Sequence, residues 1–394
     1  MLPTRQVPPF GGSMQPASDP VYLDHNATTP VIPEVLEAML PYFSVEFGNA
    51  GSVHVFGDAP RRAITRAREQ VAALLNARPE EIHFTSGGVE ANSLAIKGVA
   101  ATSDRRQIVT SNVEHPATVN PCWDLAQEGW IIHSAPVDGV GRLRTQEAGI
   151  SEATALVTVM HANNETGTLQ PIEDLSSQAK RVGALTHTDA AQSAGKVPVD
   201  VDLLGVDLLS IVGHKLYAPK GIGALYVRKG TPIAPSLFGK SPEAGLRPGT
   251  LNVPSIVGLG QACEVALRDL HEESQRLRTI RDALWEGLRA RIPGIRWNGS
   301  AEHALPNTLN VRFPHISAQA LLERIPRIAV SMGAACHSGE TRASQVLLSM
   351  GLTETEARAS VRLSVGRLVG EGAISMVIDE IHCAWLDLAG MQPH

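Results

Sequence analysis

Cysteine is scarce in this chain. Four residues, Cys122, Cys263, Cys336 and Cys383, are spread over 394 positions with no CxxC pair. That spacing builds neither a disulfide framework nor a zinc site, and it suits a reducing cytoplasm. No apolar run approaches the length that spans a bilayer. No basic block is present and the net charge is −6, so no footprint for nucleic acid or a membrane surface is expected. The opening MLPTRQVPPFGGSMQPASDP has no apolar core and little arginine, so it reads as neither secretory signal nor transit peptide. Residues 1–19 read as a disordered tail. HExxH spacing is also missing, which speaks against a metal at His187, Asp189 and His214.

What the chain does have is a series of short apolar runs, each followed by polar residues. Residues 81–85, 107–110, 130–135, 155–160, 208–212 and 223–227 read as strands, with helical periodicity between several of them. A helix over 60–75 is expected to be capped by Asp58. Alternating strands and helices imply a mainly parallel sheet flanked by helices. Such a sheet places its ligand outside the carboxyl ends of its strands. The run at 183–185 delivers His187, Asp189 and Gln192 to that edge, and the run at 208–212 delivers His214 and Lys215. A carboxylate beside a lysine that can lose its proton is what a pyridoxal phosphate site requires. Taken alone, the two residues read more readily as an acid and an amine on surface loops. The small-residue turn Ser86-Gly87-Gly88-Val89, opening a helix, is a ready anion site, though many such turns exist. A long helix over 255–291 connects to further strands at 308–313 and 328–332, with helices near 318–324, 344–350 and 373–388.

Nine motifs occur in order: HNATTP, TSGGVE, VEH, NNETG, HTDAAQ, GHKLYAPKGIGALY, RPGT, GAAC and VRLSVGR. In this the chain resembles the pyridoxal-phosphate-dependent cysteine desulfurases of the NifS/IscS type, within the aminotransferase class V group, from about Val21 to the last helix. The resemblance implies a fold type I α/β architecture: a large domain with a seven-stranded mainly parallel sheet, and a smaller C-terminal α/β domain. It divides the chain into an N-terminal segment, 20–32, packing with the small domain, a large domain, 33–265, and a small domain, 266–394. Lys215 would form the Schiff base and Asp189 would pair with the pyridine nitrogen. Gln192 and Asn164 would contact the ring hydroxyl, and His115 would stack on the ring and move protons. Ser86, Gly87, Gly88, Val89 and His214 would surround the phosphate, and Thr250 would reach the phosphate of a partner subunit in a homodimer. Arg362 would hold the substrate carboxylate with help from Asn49 and Asn164, and Cys336 would accept sulfur from L-cysteine for delivery to an acceptor protein.

The residues also depart from that pattern. Val89 and Val212 stand where hydroxyl residues are common, and Phe238 to Glu243 replaces a glycine-rich run, with Lys240 as a possible extra phosphate contact. GAACHS and SIVGHK look closer to selenocysteine lyases, which makes L-selenocysteine the rival substrate. A non-catalytic sulfur carrier is the rival of another class. Arg247 is a weaker candidate for the anion site, and Cys122, Cys263 and Cys383 are expected to be structural.

Overall fold

Strand residues alternate strictly between two apolar layers, and this alternation builds the molecule. In a computed structural model, which describes residues 20–240, 242–332 and 343–390, the strands are β1 (Val21–Tyr22), β2 (Ile82–Thr85), β3 (Gln107–Ser111), β4 (Ile131–Ala135), β5 (Thr154–Thr158), β6 (Leu185–Asp189), β7 (Leu208–Val212), β8 (Gly223–Val227), β9 (Arg296–Trp297), β10 (Thr308–Arg312), β11 (Ile328–Ala329) and β12 (Ser360–Ser364). The helices are α1 (Pro33–Met39), α2 (Pro41–Ser44), α3 (Val55–Leu75), α4 (Gly88–Ala100), α5 (Pro116–Gln127), α6 (Ile172–Val182), α7 (Val201–Leu204), α8 (Val253–Arg291), α9 (Ala318–Arg324), α10 (Gln345–Ser349), α11 (Glu354–Arg358) and α12 (Gly372–Ala389).

Seven strands form the central sheet in the order β2-β8-β7-β6-β5-β3-β4, and β8 alone runs against its neighbours. Ile108, Leu156, Leu208 and Leu225 point to one face, against α4 and α5. Their chain neighbours Val109, Val157, Leu209 and Ala224 point to the other, against α3, α6 and the first turns of α8. A sheet covered on both faces needs this continuous apolar character in each strand. It leaves the strand ends as the place where polar side chains can gather.

A second core lies around β10, β12 and α12, and takes in Leu277, Ile280, Leu284 and Leu288 from the middle of α8. Val21 and Leu23 join this core, and β1 pairs in parallel with β11. The segment after β1 then crosses to the central sheet, where Thr29 N–H donates to the carbonyl of His214. One correction concerns α3. It starts at Val55, with His54 at its cap position in extended geometry. Asp58 therefore sits inside the first turn, where it pairs with Arg61 instead of capping. No described helix is long and apolar enough to cross a membrane.

Candidate active site

The ends of β5, β6 and β7 and the starts of α4 and α5 meet at one edge of the sheet. They surround a cavity of about 470 Å³ lined by, among others, Gly88, Val89, His115, Asn164, Asp189, Gln192, His214, Lys215 and Arg362. Each predicted group in this set is delivered by its local structure. Asp189 is the last residue of β6. Lys215 follows β7 in a single helical turn that begins at Gly213. His115 caps α5, accepting the Ala117 N–H at Nδ1 over 3.1 Å.

The electrostatics suit proton chemistry. Burial, followed by the nearby Arg362, drives the Lys215 amine down to about 8 against the opposing pull of Asp189. Part of the amine is therefore neutral near physiological pH. Its Nζ donates to the backbone carbonyl of Asn26 at 3.1 Å. The Asp189 carboxylate is held from two sides, by Asn92 Nδ2 at 2.7 Å and by the Ala191 N–H at 2.9 Å. Burial lowers His115 and brings His214 down to about 4, so both imidazoles are neutral at pH 7.

An anion would find a cradle at α4. Gly87 has φ +150°, a conformation that L side chains rarely adopt, and a Cβ on Gly88 would come within 2.7 Å of Val212 Cγ2. The helix start is thus bare backbone facing the cavity. Val89 lines the cavity, while Ser86 uses its N–H on Glu90 Oε2 at 2.7 Å. Glu90 is held in turn by Arg247 Nε at 2.9 Å, so Arg247 braces the turn from behind. Arg362, on β12, enters from the second core. It donates to the Asn164 carbonyl at 2.9 Å and to Asp24 at 2.5 Å, and its buried Nε has no partner among the described residues. Bare helix N–H groups, a depressed amine, a fixed carboxylate and an arginine with a spare donor fit pyridoxal phosphate and an amino-acid carboxylate.

Two expected residues are elsewhere. Asn49 and Thr250 line a separate cavity of about 650 Å³ with Phe238 and Lys240, so within one chain neither is brought to Arg362 or Lys215. Cys336 lies outside the described residues. Of its flanks, Ser331 lines the main cavity and Ser344 donates to the buried carboxylate of Glu165 at 2.5 Å. Cys122 and Cys263 are buried and Cys383 is exposed. Sequence reasoning missed Asn26, Asn92 and Asp24. HNATTP was a visible motif, but nothing in its pattern revealed that the Asn26 carbonyl would hold Lys215. Asn92 sits four residues into α4, and only the helix's aim at β6 gives it a role.

An open sheet with a lysine and a carboxylate on adjacent strand ends, facing a bare helix start, defines the aminotransferase class of α/β proteins. The chain matches the family model described as aminotransferase class-V over residues 21–371, and it belongs to that family. It is 45% identical over 364 residues to a cysteine desulfurase of Trichormus azollae, covering 91% of each chain. It is 42% identical over 380 residues to the cysteine desulfurase NifS of Azotobacter vinelandii, covering 95% of this chain and 94% of that one. Among solved structures, a NifS-like protein superposes with a TM-score of 0.86 at 36% identity, covering 92% of this chain and 98% of that one. A structure described as SspA in complex with cysteine superposes with a TM-score of 0.78 at 37% identity, covering 88% and 98%.

Proposed function

We propose that this protein is a pyridoxal-phosphate-dependent cysteine desulfurase. The carrying observation is the convergence of Lys215, Asp189 and Arg362 on one cavity. The similarity to desulfurases over nine-tenths of the chain supports the same reading and favours cysteine over selenocysteine as the substrate. Lys215, Asp189, Gln192, Asn164, His115, His214 and the turn from Ser86 to Val89 would hold the cofactor, and Arg362 the substrate carboxylate. When bound, the cofactor supplies an electron-accepting ring that stabilises charge at the substrate's α-carbon. Lys215 Nζ, depressed to about 8, can take and return a proton there. His115 is a neutral imidazole that can pass a proton towards the substrate sulfur. The Cys336 thiolate then attacks that sulfur. An S–S bond forms on Cys336 and the substrate C–S bond breaks. Its electron pair stays on carbon and is protonated, giving L-alanine.

Two partners follow. A homodimer is supported by a group of exposed apolar side chains, Phe43, Val45, Phe47, Val53, Val55 and Phe56, with Phe238 near the Thr250 cavity. It would let Thr250 serve the other subunit. A sulfur-acceptor protein would take the persulfide, and a reducing cytoplasm would keep the Cys336 thiol competent. The test is Cys336→Ala, assayed for alanine and protein-bound persulfide from L-cysteine and for selenide from L-selenocysteine. Loss of cysteine turnover with retained cofactor absorbance is expected. Undiminished cysteine turnover removes Cys336 from the reaction, and a wild type active only on selenocysteine overturns the choice of substrate.

A further inference from the structure

Behind the cavity lies a second buried lysine with no assigned part in the chemistry. Lys196 is 7% exposed, and the charged groups that act on it are the cations Lys215 and Arg362, with no ion pair to a carboxylate among the described residues. A buried amine without a carboxylate is costly, so its retention asks for a reason other than stability. Its Nζ donates to the Gln192 carbonyl at 2.8 Å and reaches the Gln192 side-chain Oε1 at 3.4 Å. On the other side of the same carboxamide, Nε2 donates to the Asn26 carbonyl at 3.0 Å. That carbonyl also accepts from Lys215 Nζ at 3.1 Å.

The two ends of a carboxamide are chemically opposite, and neighbours decide which way it points. A lysine ammonium can only donate and a backbone carbonyl can only accept. The Asn26 carbonyl therefore demands the amide nitrogen, and Lys196, when charged, demands the same orientation. Oε1 turns to Lys196, and the amide nitrogen turns to Asn26, leaving its second N–H for the cavity that Gln192 lines. We propose that Lys196 is a positioning residue that fixes the Gln192 carboxamide so that it offers a hydrogen-bond donor, not an acceptor, to the bound cofactor. This rests on the reading of the main cavity as a pyridoxal phosphate site.

The surroundings agree. Burial, then Lys215 and Arg362, brings the Lys196 amine down to about 7. Lys215 in turn faces Asp189, Arg362 and Asp24. A small closed cavity of about 20 Å³ is lined by both lysines, with Glu273 from α8 and Arg367 after β12. His25 and His214 face Lys196 as neutral imidazoles, each lowered to about 4.

The test is a pH titration of the cofactor absorbance in the holoenzyme, for wild type, Lys196→Met, Gln192→Met and the double variant. Removing the donor and removing a nearby positive charge both raise the midpoint, so the cycle is needed to separate them. Lys196→Met is expected to raise it by about one pH unit, a tenfold change in proton affinity. In the Gln192→Met background the shift should shrink to less than half. An unmoved midpoint in Lys196→Met, or equal shifts in both backgrounds, overturns the proposal. If Lys196→Met does not fold, Gln192→Glu decides, because it presents oxygen at both ends with Lys196 intact. It should weaken cofactor binding by about tenfold, the scale of one lost hydrogen bond, and unchanged affinity overturns the proposal. A wild type that takes up no pyridoxal phosphate overturns the reading of the cavity itself, and this inference with it.

Discussion

Arg362 and Asp24 meet at 2.5 Å across the gap between β12 and the N-terminal segment. The side chain of Arg362 is almost fully buried, and Asp24 is its only carboxylate partner among the described residues. Asp24 therefore aims the guanidinium, which lines the main cavity, where the proposed function has it take a substrate carboxylate. Arg362→Gln removes the charge-assisted contact, worth roughly 1.5–3 kcal/mol. The KM for L-cysteine should rise by about 10- to 100-fold in steady-state kinetics, with cofactor content unchanged. Asp24→Leu leaves a buried guanidinium unpaired, so it should raise KM and also lower the melting temperature.

How much of this was legible in the sequence differs from one group to the next. Strands β7 and β8 and helix α9 lie where the pattern puts them, because each is a local amphipathic or fully apolar run. The site residues on strand ends, Asp189, Lys215 and His115, were legible for the same reason: the strand ends there and the polar residue follows. Asp24 and Asn26 were not. Their partners are far away in sequence: Asp24 holds Arg362, and the Asn26 carbonyl takes Lys215. No local pattern encodes a contact between a ten-residue N-terminal stretch and two separate cores. Asp58 misled for a local reason. Its type suits a cap, yet the helix gains another turn by starting at Val55.

Asp189 gives a second prediction. Its carboxylate is held in place by Asn92 and the Ala191 N–H, so Asp189→Asn should keep the backbone and the cavity shape. What it loses is the negative charge that, in the proposed site, would face the cofactor's ring nitrogen. A lost charged hydrogen bond of about 3 kcal/mol corresponds to a rate loss of about a hundredfold. Single-turnover kinetics on protein reconstituted with cofactor should show that loss in the chemical step. A rate within a few-fold of wild type would remove Asp189 from its assigned role.

Gly88 and Val212 make the third. A Cβ on Gly88 would sit 2.7 Å from Val212 Cγ2, so one of the two must move. Overpacking of this kind costs about 1–3 kcal/mol. Gly88→Ala should weaken cofactor binding by about tenfold and lower the melting temperature. Adding Val212→Ala removes the clashing methyl and should restore much of both. If the double variant binds cofactor no better than Gly88→Ala, the loss comes from the backbone of the α4 start and not from Val212.

Mild acid should destabilise the fold. Burial pushes His25, His161, His187 and His214 down to about 4. Unfolded, each takes up a proton as the pH falls through about 6.5. The folded chain does not accept those protons until about 4, so between these values the unfolded state binds more protons and stability falls with the pH. Two carboxyls oppose this. Burial raises Glu114 to about 8 and also raises Glu165, so the folded state keeps protons there that the unfolded state gives up. The histidines outnumber the carboxyls, so near pH 5.5 the unfolded state binds more protons and stability falls with the pH, by roughly 1.4 kcal/mol per pH unit for each proton of the difference. Denaturant titrations at intervals from pH 5 to 6.5 measure that slope directly. His161, whose ring Nδ1 meets Ser193 Oγ at 2.9 Å, offers the control. His161→Gln removes one titrating group from the unfolded state, so its slope should be shallower than wild type by roughly 1.4 kcal/mol per pH unit over the same range. A slope unchanged from wild type would mean that His161 is already protonated in the folded protein.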